Sequence, residues 1–303
     1  MDKKNLAKVL SLTLASTLLC SSLLPVESFS KTLVGGSTQY KTNIPLTIGS
    51  SRTLALGFYE WSGLELYKKL GNQTFWSYLP YTNRIFLSFN GQQINSLLAD
   101  PNEANLLNQF IYNAAQRGIK VELLLGDPSW ALDGYRDSLI KIISELSRFH
   151  FAGIQLDIEK SQLPLNEQNL WDTGIVKTIK AVRSYSRNIP IGLSLNYQVA
   201  STSLLNNLYK AGLNEAVIMI YSINANRIEQ VVTPIIKSNP RLLFSVAQSI
   251  EPTTVLPASE TYSSVGETTA VTDWSNLYQY FSKFPNFKNI IVQSFEYFLQ
   301  AKN

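Results

Sequence analysis

The chain has 303 residues, 45% hydrophobic and 16% charged, with a formal net charge of +4. That is enough apolar mass for one large domain or two small ones, without disulfides to hold the core. Scattered Lys and Arg residues speak against a nucleic-acid surface, a single Cys excludes a disulfide within the chain, a single His excludes a multi-histidine zinc site, and no Ser-His-Asp triad is expected around His150.

Any chemistry must therefore come from carboxylates, amides, hydroxyls and aromatics, and no metal or cofactor is expected. Residues 1–30 differ from the rest: Lys3, Lys4 and Lys8 precede an apolar stretch from Val9 to Leu24, followed by Pro25 and the triplet Ser28-Phe29-Ser30. This is the order of a secretory signal peptide, which predicts a secreted or periplasmic protein that meets the membrane only through that signal. The apolar stretch is short and Ser/Thr-rich for a membrane span. A lipid-modified Cys20 is the alternative, but Leu19 is bulky where such sites take a small residue. Residues 31–52 read as an extended Ser/Thr-rich leader, and residues 53–303 as one domain.

Eight β-rich runs follow, at 54–60, 84–90, 119–127, 152–159, 189–197, 216–222, 242–251 and 289–296. Helix signals fill the intervals. Asp100-Pro101-Asn102-Glu103 supplies a capping Asp, a first-turn Pro and a Glu three positions on, opening a helix that ends near Gly118. Leu139, Ile142, Ile143 and Leu146 share one helical face, and "TGIVKTIKAVRSYSR" and "NRIEQVVTPIIKSNP" repeat the pattern, with a kink expected at Pro234. Strict alternation over about 240 residues predicts a single-domain α/β fold, the (β/α)8 or TIM barrel, which typically takes roughly 250. A doubly wound open sheet is the alternative, although no strand is followed by a Gly-rich phosphate loop.

In such a barrel the active site lies at the carboxyl ends of the strands. Alternation then assigns directions. Gly153, Gln155, Asp157 and Glu159 point inward, while Ala152, Ile154, Leu156 and Ile158 pack against helices. Ser245, Ala247, Ser249 and Glu251 share the inward side of the seventh run, so Glu251 stands across the mouth from Glu159. Further rim candidates are Ser88 and Asn90, Asp127, Asn196, Met219 and Tyr221, and Ser294 and Glu296. Glu60 can face either way. Trp61, Trp130 and Tyr221 could stack on sugar faces. The strand starts read as apolar, and His150, at that opposite end, as structural. A lone acid at a strand end is as readily a solvated loop start, and the tryptophans as readily cap the core. Asp157 with Glu159 is more specific, since two carboxyls on one side perturb each other's ionisation.

"FAGIQLDIE" resembles the strand-four signature D-G-x-D-x-D-x-E of glycoside hydrolase family 18, the chitinase-type barrels. "MIYS", at 219–222, is similar to that family's M-x-Y-D on strand six. The resemblance implies that Glu159 protonates the glycosidic oxygen, that Asp157 orients a substrate acetamido group whose oxygen is the nucleophile, and that Tyr221 helps hold it. Ala152 and Gln155 stand where the family has acids, and Ser222 replaces its Asp. The segment also resembles the G-I-x-L-D-I-E strand of other bacterial barrels of glycosidase type.

A second mechanism pairs Glu159 with Glu251. Retaining glycosidases place two carboxyls about 5–5.5 Å apart and inverting ones about 6.5–9.5 Å. Ile158 stands where such enzymes usually carry Asn. The expectation is thus an exported, monomeric glycoside hydrolase acting on a polysaccharide or glycan. The alternatives are a catalytically inactive barrel that binds glycan or a protein partner, motivated by Ala152 and Gln155, and a barrel enzyme with another substrate.

Overall fold

The computed structural model describes residues 54–79 and 81–301. The expected signal and leader, 1–30 and 31–52, lie outside the described residues. Eight parallel strands pair in chain order: β1 (Leu56–Glu60), β2 (Thr82–Ser88), β3 (Lys120–Leu125), β4 (Ile154–Leu156), β5 (Ile191–Asn196), β6 (Glu215–Met219), β7 (Leu243–Ser249) and β8 (Phe287–Gln293). β8 pairs back to β1, with Leu56 opposite Ile290 and Phe58 opposite Val292, and this closes the barrel. The fold is a single-domain TIM barrel.

Helices cover its outside. α1 (Gly63–Leu70) and α2 (Asn72–Ser77) follow β1; α3 (Gly91–Ala99) and α4 (Pro101–Ala115) follow β2; α5 (Arg136–Leu146) follows β3. After them come α6 (Trp171–Tyr185), α7 (Thr202–Ala211), α8 (Ala225–Ser238), α9 (Glu267–Phe281) and α10 (Phe295–Gln300). The Asp100 side chain accepts a hydrogen bond from Asn102 N at 2.8 Å, so α4 begins where its capping signal lies. α5 buries Leu139, Ile143 and Leu146, and α6 buries Ile175, Ile179 and Val182, each a set spaced by three or four residues. Pro234 stays inside one continuous helix, α8.

Two apolar layers follow from strand alternation. Residues of one parity, such as Phe58, Leu156, Phe244 and Val246, join the layer between barrel and helices. Residues of the other parity, Tyr59, Phe86, Leu124, Val217, Met219, Ala247 and Ile291, fill the barrel itself. Glycine makes room there: a Cβ at Gly57 would lie 2.7 Å from Ile291 Cδ1 and 3.1 Å from Phe86 Cε2.

The strand starts are not apolar, contrary to the sequence reading. Arg84 donates to both oxygens of Glu122 at 2.9 and 3.0 Å, and to Glu215 at 2.7 Å. Lys288 and Ser245 complete the group, reaching Glu215 at 2.8 and 2.6 Å. Burial alone would raise the Glu215 carboxyl, but Arg84 and Lys288 outweigh it and hold that group down to about 2. A satisfied ionic plug therefore seals the closed end. β4 is also shorter than its run, covering three residues, and β8 ends at Gln293, where the chain turns into α10.

Candidate active site

The chain leaves β4 under two restraints. Asp157 N still donates to Leu125 O of β3 at 2.9 Å. Ile158 is fully buried on the helix side, and its carbonyl accepts from Trp171 Nε1 at 2.9 Å. Fixing Ile158 outward turns Asp157 and Glu159 to the opposite side, toward the barrel mouth. The two acids thus lie on the same side, just past the end of a very short strand.

Asp157 meets Ser194 of β5, a hydroxyl shared three ways. Ser194 Oγ lies 2.7 Å from Tyr59 Oη and accepts from Gln155 Nε2 at 3.0 Å, which leaves its proton for Asp157 or Tyr59. Asp157 Oδ1 is sealed from solvent with no donor. Burial, and then the Glu159 charge, push the Asp157 carboxyl up to about 8, against the hydrogen bond from Ser194. Glu159 is half-buried, and burial raises it too, with Ser161 opposing. Its Oε1 accepts from Gln162 Nε2 at 2.7 Å.

Glu159 stands on the wall of a cavity of about 270 Å³, with Lys160, Ser161 and Gln168 on its own side and Ser194 and Asn196 from β5 opposite. Across the mouth, Glu251 is buried and pushed up to about 7, first by burial and then, against Ser249 and Gln293, by the charges of Glu159 and Glu296. Ser249 Oγ donates to its Oε2 at 3.1 Å. The half-buried Tyr221 packs against the barrel's inner cluster; burial raises its hydroxyl first, then the charges of Glu251, Asp157 and Glu159. Trp61 packs against the same cluster, 6.0 Å from the Tyr59 ring.

The structure thus gathers Asp157, Glu159, Tyr221, Glu251, Asn196 and Trp61 at the open end. Other candidates go elsewhere. Gln155 is fully buried beneath the mouth, where it supports Ser194. Asp127 caps the turn after β3, its Oδ1 accepting from Ser129 N at 2.9 Å and Ser129 Oγ at 2.6 Å. Trp130 is buried in the layer under the helices, with Nε1 donating to Ser138. Glu60 follows Phe58 to the side away from the axis, and Glu296 joins it there from the first turn of α10. Asn90 forms a capping box with Gln93 at the start of α3. Two contributors escaped the sequence reading. Tyr59 was marked only by sharing parity with Trp61, and the segment 160–162 carried no signal. Among the described residues, no group of three or more His, Cys, Asp or Glu could hold a metal, and no helix is long and apolar enough to cross a membrane.

These features define a (β/α)8 barrel with a polar pocket that Glu159 lines at the carboxyl ends of its strands. No protein-family model and no curated protein matches the chain. Among solved structures, it is similar to the xylanase and alpha-amylase inhibitor protein XAIP-II of Scadoxus multiflorus, with TM-score 0.53 and 13% identity, over 82% of this chain and 96% of that one. It is also similar to a Toxoplasma gondii protein assigned as a deoxyribose-phosphate aldolase, with TM-score 0.51 and 7% identity, over 81% and 91% of the two chains. D-psicose 3-epimerase matches with TM-score 0.49 and 10% identity, over 79% and 84%. At such identities the likeness is one of fold, which alone does not fix chemistry.

Proposed function

We propose that the chain is an exported glycoside hydrolase with Glu159 as general acid. The observation that carries this reading is the Glu159 carboxyl on the cavity wall, with Asp157 on the same side and electrostatically coupled to it. Two interacting carboxyls partly shielded from water resist ionising together, so near neutral pH the pair retains a proton for transfer. Glu159 gives that proton to the glycosidic oxygen as the bond to the anomeric carbon breaks. Following the resemblance to family 18, an acetamido oxygen of the substrate forms the new bond while Asp157 and Tyr221 orient it. Water then opens this intermediate, returning a proton to Glu159. Export rests on residues 1–30 alone.

The test is product release from a panel of polysaccharides and glycans, read by mass spectrometry. Glu159→Gln is expected to remove turnover, by about 10²-fold or more, while retaining fold and glycan binding. Wild-type turnover by that variant would sink the assignment.

A second reading, a binding barrel without turnover, is favoured by one observation. Both oxygens of Glu159 accept bonds from its own loop, from Gln162 at 2.7 Å and Ser161 at 3.5 Å, and these favour a fixed carboxylate. Binding across the panel with no products would select it.

A further inference from the structure

Two acids that the mechanism does not use meet behind the rim. Glu60, the last residue of β1, is 1% exposed. Phe58 packs edge-on against Phe295, at 5.6 Å, which seats α10 beside β1 and brings Glu296 to Glu60. Gly63 permits the approach, since a Cβ there would lie 2.7 Å from Glu60 Cγ. Both carboxyls converge on Ser62. Its N–H donates to Glu60 Oε1 at 3.1 Å and to Glu296 Oε1 at 3.2 Å, and its hydroxyl donates to Glu296 Oε1 at 2.7 Å.

The other two oxygens, Glu60 Oε2 and Glu296 Oε2, are sealed from solvent and lack a donor. Among the described residues, no ion pair involves either acid. The charged groups acting on them are themselves acids: Glu65 of α1 near Glu60, and Glu251 past β7 near Glu296. Two bare carboxylates held together out of water repel strongly, whereas a proton on one is the donor the other lacks.

We propose that Glu60 and Glu296 share one proton and act as a positioning pair, setting through Glu251 the charge that Glu159 experiences. With the proton in place, a single negative charge stands behind Glu251. Its loss adds a second, which makes Glu251, and in turn Glu159, hold protons to higher pH. The pair is a buffer for the mouth and touches no substrate. The consequence for catalysis rests on Glu159 being the acid; the pair itself does not.

The experiment is a carbon-13 titration of the Glu carboxyls in the full chain, which needs no substrate. In the unaltered protein Glu60 should titrate well above the usual carboxyl range. Glu296→Gln should lower the Glu60 and Glu251 midpoints, by about one pH unit for Glu60, and Glu296→Asp, which keeps the charge, should restore that of Glu251. Ser62→Ala retains both acids should the Gln variant fold poorly, and the Glu60 midpoint should stay well above the usual carboxyl range in it. A Glu60 midpoint in the ordinary range, or unmoved by Glu296→Gln, overturns the shared proton. An unmoved Glu251 midpoint overturns the action on the mouth. A melting temperature raised by calcium or magnesium, but not in Glu60→Gln, would make the pair a cation site instead. If the titrations behave as expected in a chain with no turnover, the hydrolase reading fails and the pair stands.

Discussion

Gln155 fills space that Gly192 leaves open: a Cβ at position 192 would lie 2.0 Å from Gln155 Oε1. The bare backbone of β5 thus admits the amide that steadies Ser194, and Ser194 meets Asp157. Gly192→Ala should cost about 1–3 kcal/mol by overpacking, measured by denaturant unfolding. If Gln155 swings aside, turnover should fall with it. An unchanged unfolding midpoint would contradict this packing.

Asp157 predicts an unusual dependence of stability on pH. Its carboxyl is raised to about 8 in the folded chain, above its unfolded value. The folded state therefore binds the extra proton, and the stability this contributes, complete below the unfolded value, drains away as pH rises toward 8. Asp157→Asn should remove that part of the slope and gain about 1–3 kcal/mol at the alkaline end. Thermal unfolding across this range checks it, with equal slopes in both proteins as the failing result.

The closed end should be sensitive in the opposite direction. Glu215 is held down to about 2, so its contribution is present above the ordinary carboxyl value and lost as pH falls through that value toward 2. Arg84→Met leaves Glu122 without its ion partner and Glu215 with Lys288 and the Ser245 hydroxyl. The expected loss is about 3–5 kcal/mol, read from urea unfolding. A loss below about 1 kcal/mol would mean that the plug contributes no more than a surface pair.

Two tryptophans should separate binding from stability. Trp130 is 1% exposed and packed under the helices, so Trp130→Ala should cost about 3–5 kcal/mol. Trp61, half-buried at the mouth, should instead weaken glycan binding roughly tenfold when changed to Ala, with little change in unfolding. Calorimetry and denaturation on both variants would show the reverse pattern if the assignment is wrong.

The contrast between Trp130 and Trp61 shows what a linear reading can and cannot reach. β7 was legible because Phe244 and Val246 alternate with Ser245 and Ala247, and only one set suits an apolar layer. The direction of Asp157 and Glu159 was legible because Ile158 between them is apolar. The ionic plug was not, since strand-start charges look like solvated ends until closure brings Arg84, Glu122 and Glu215 together. Their shared parity with Phe86, Leu124 and Val217 was the available signal. Asp127, Trp130 and Asn90 were misplaced for a local reason: turns and caps recruit the polar and aromatic side chains that a rim would use. Glu296 was misplaced because Phe295 extends the apolar run of β8 in sequence, whereas it opens a helix and shares a buried face with Phe298.

The brevity of β4 has one last consequence. Its ladder ends at Leu156, so one wall of the cavity belongs to the excursion between strand and helix, from Glu159 to Trp171, and not to the cylinder. Lengthening, shortening or exchanging 160–170 would reshape what the mouth admits while every rung of the barrel stayed paired. The β5 side of the cavity is tied to the barrel, but the side that 160–170 supplies can be rewritten alone.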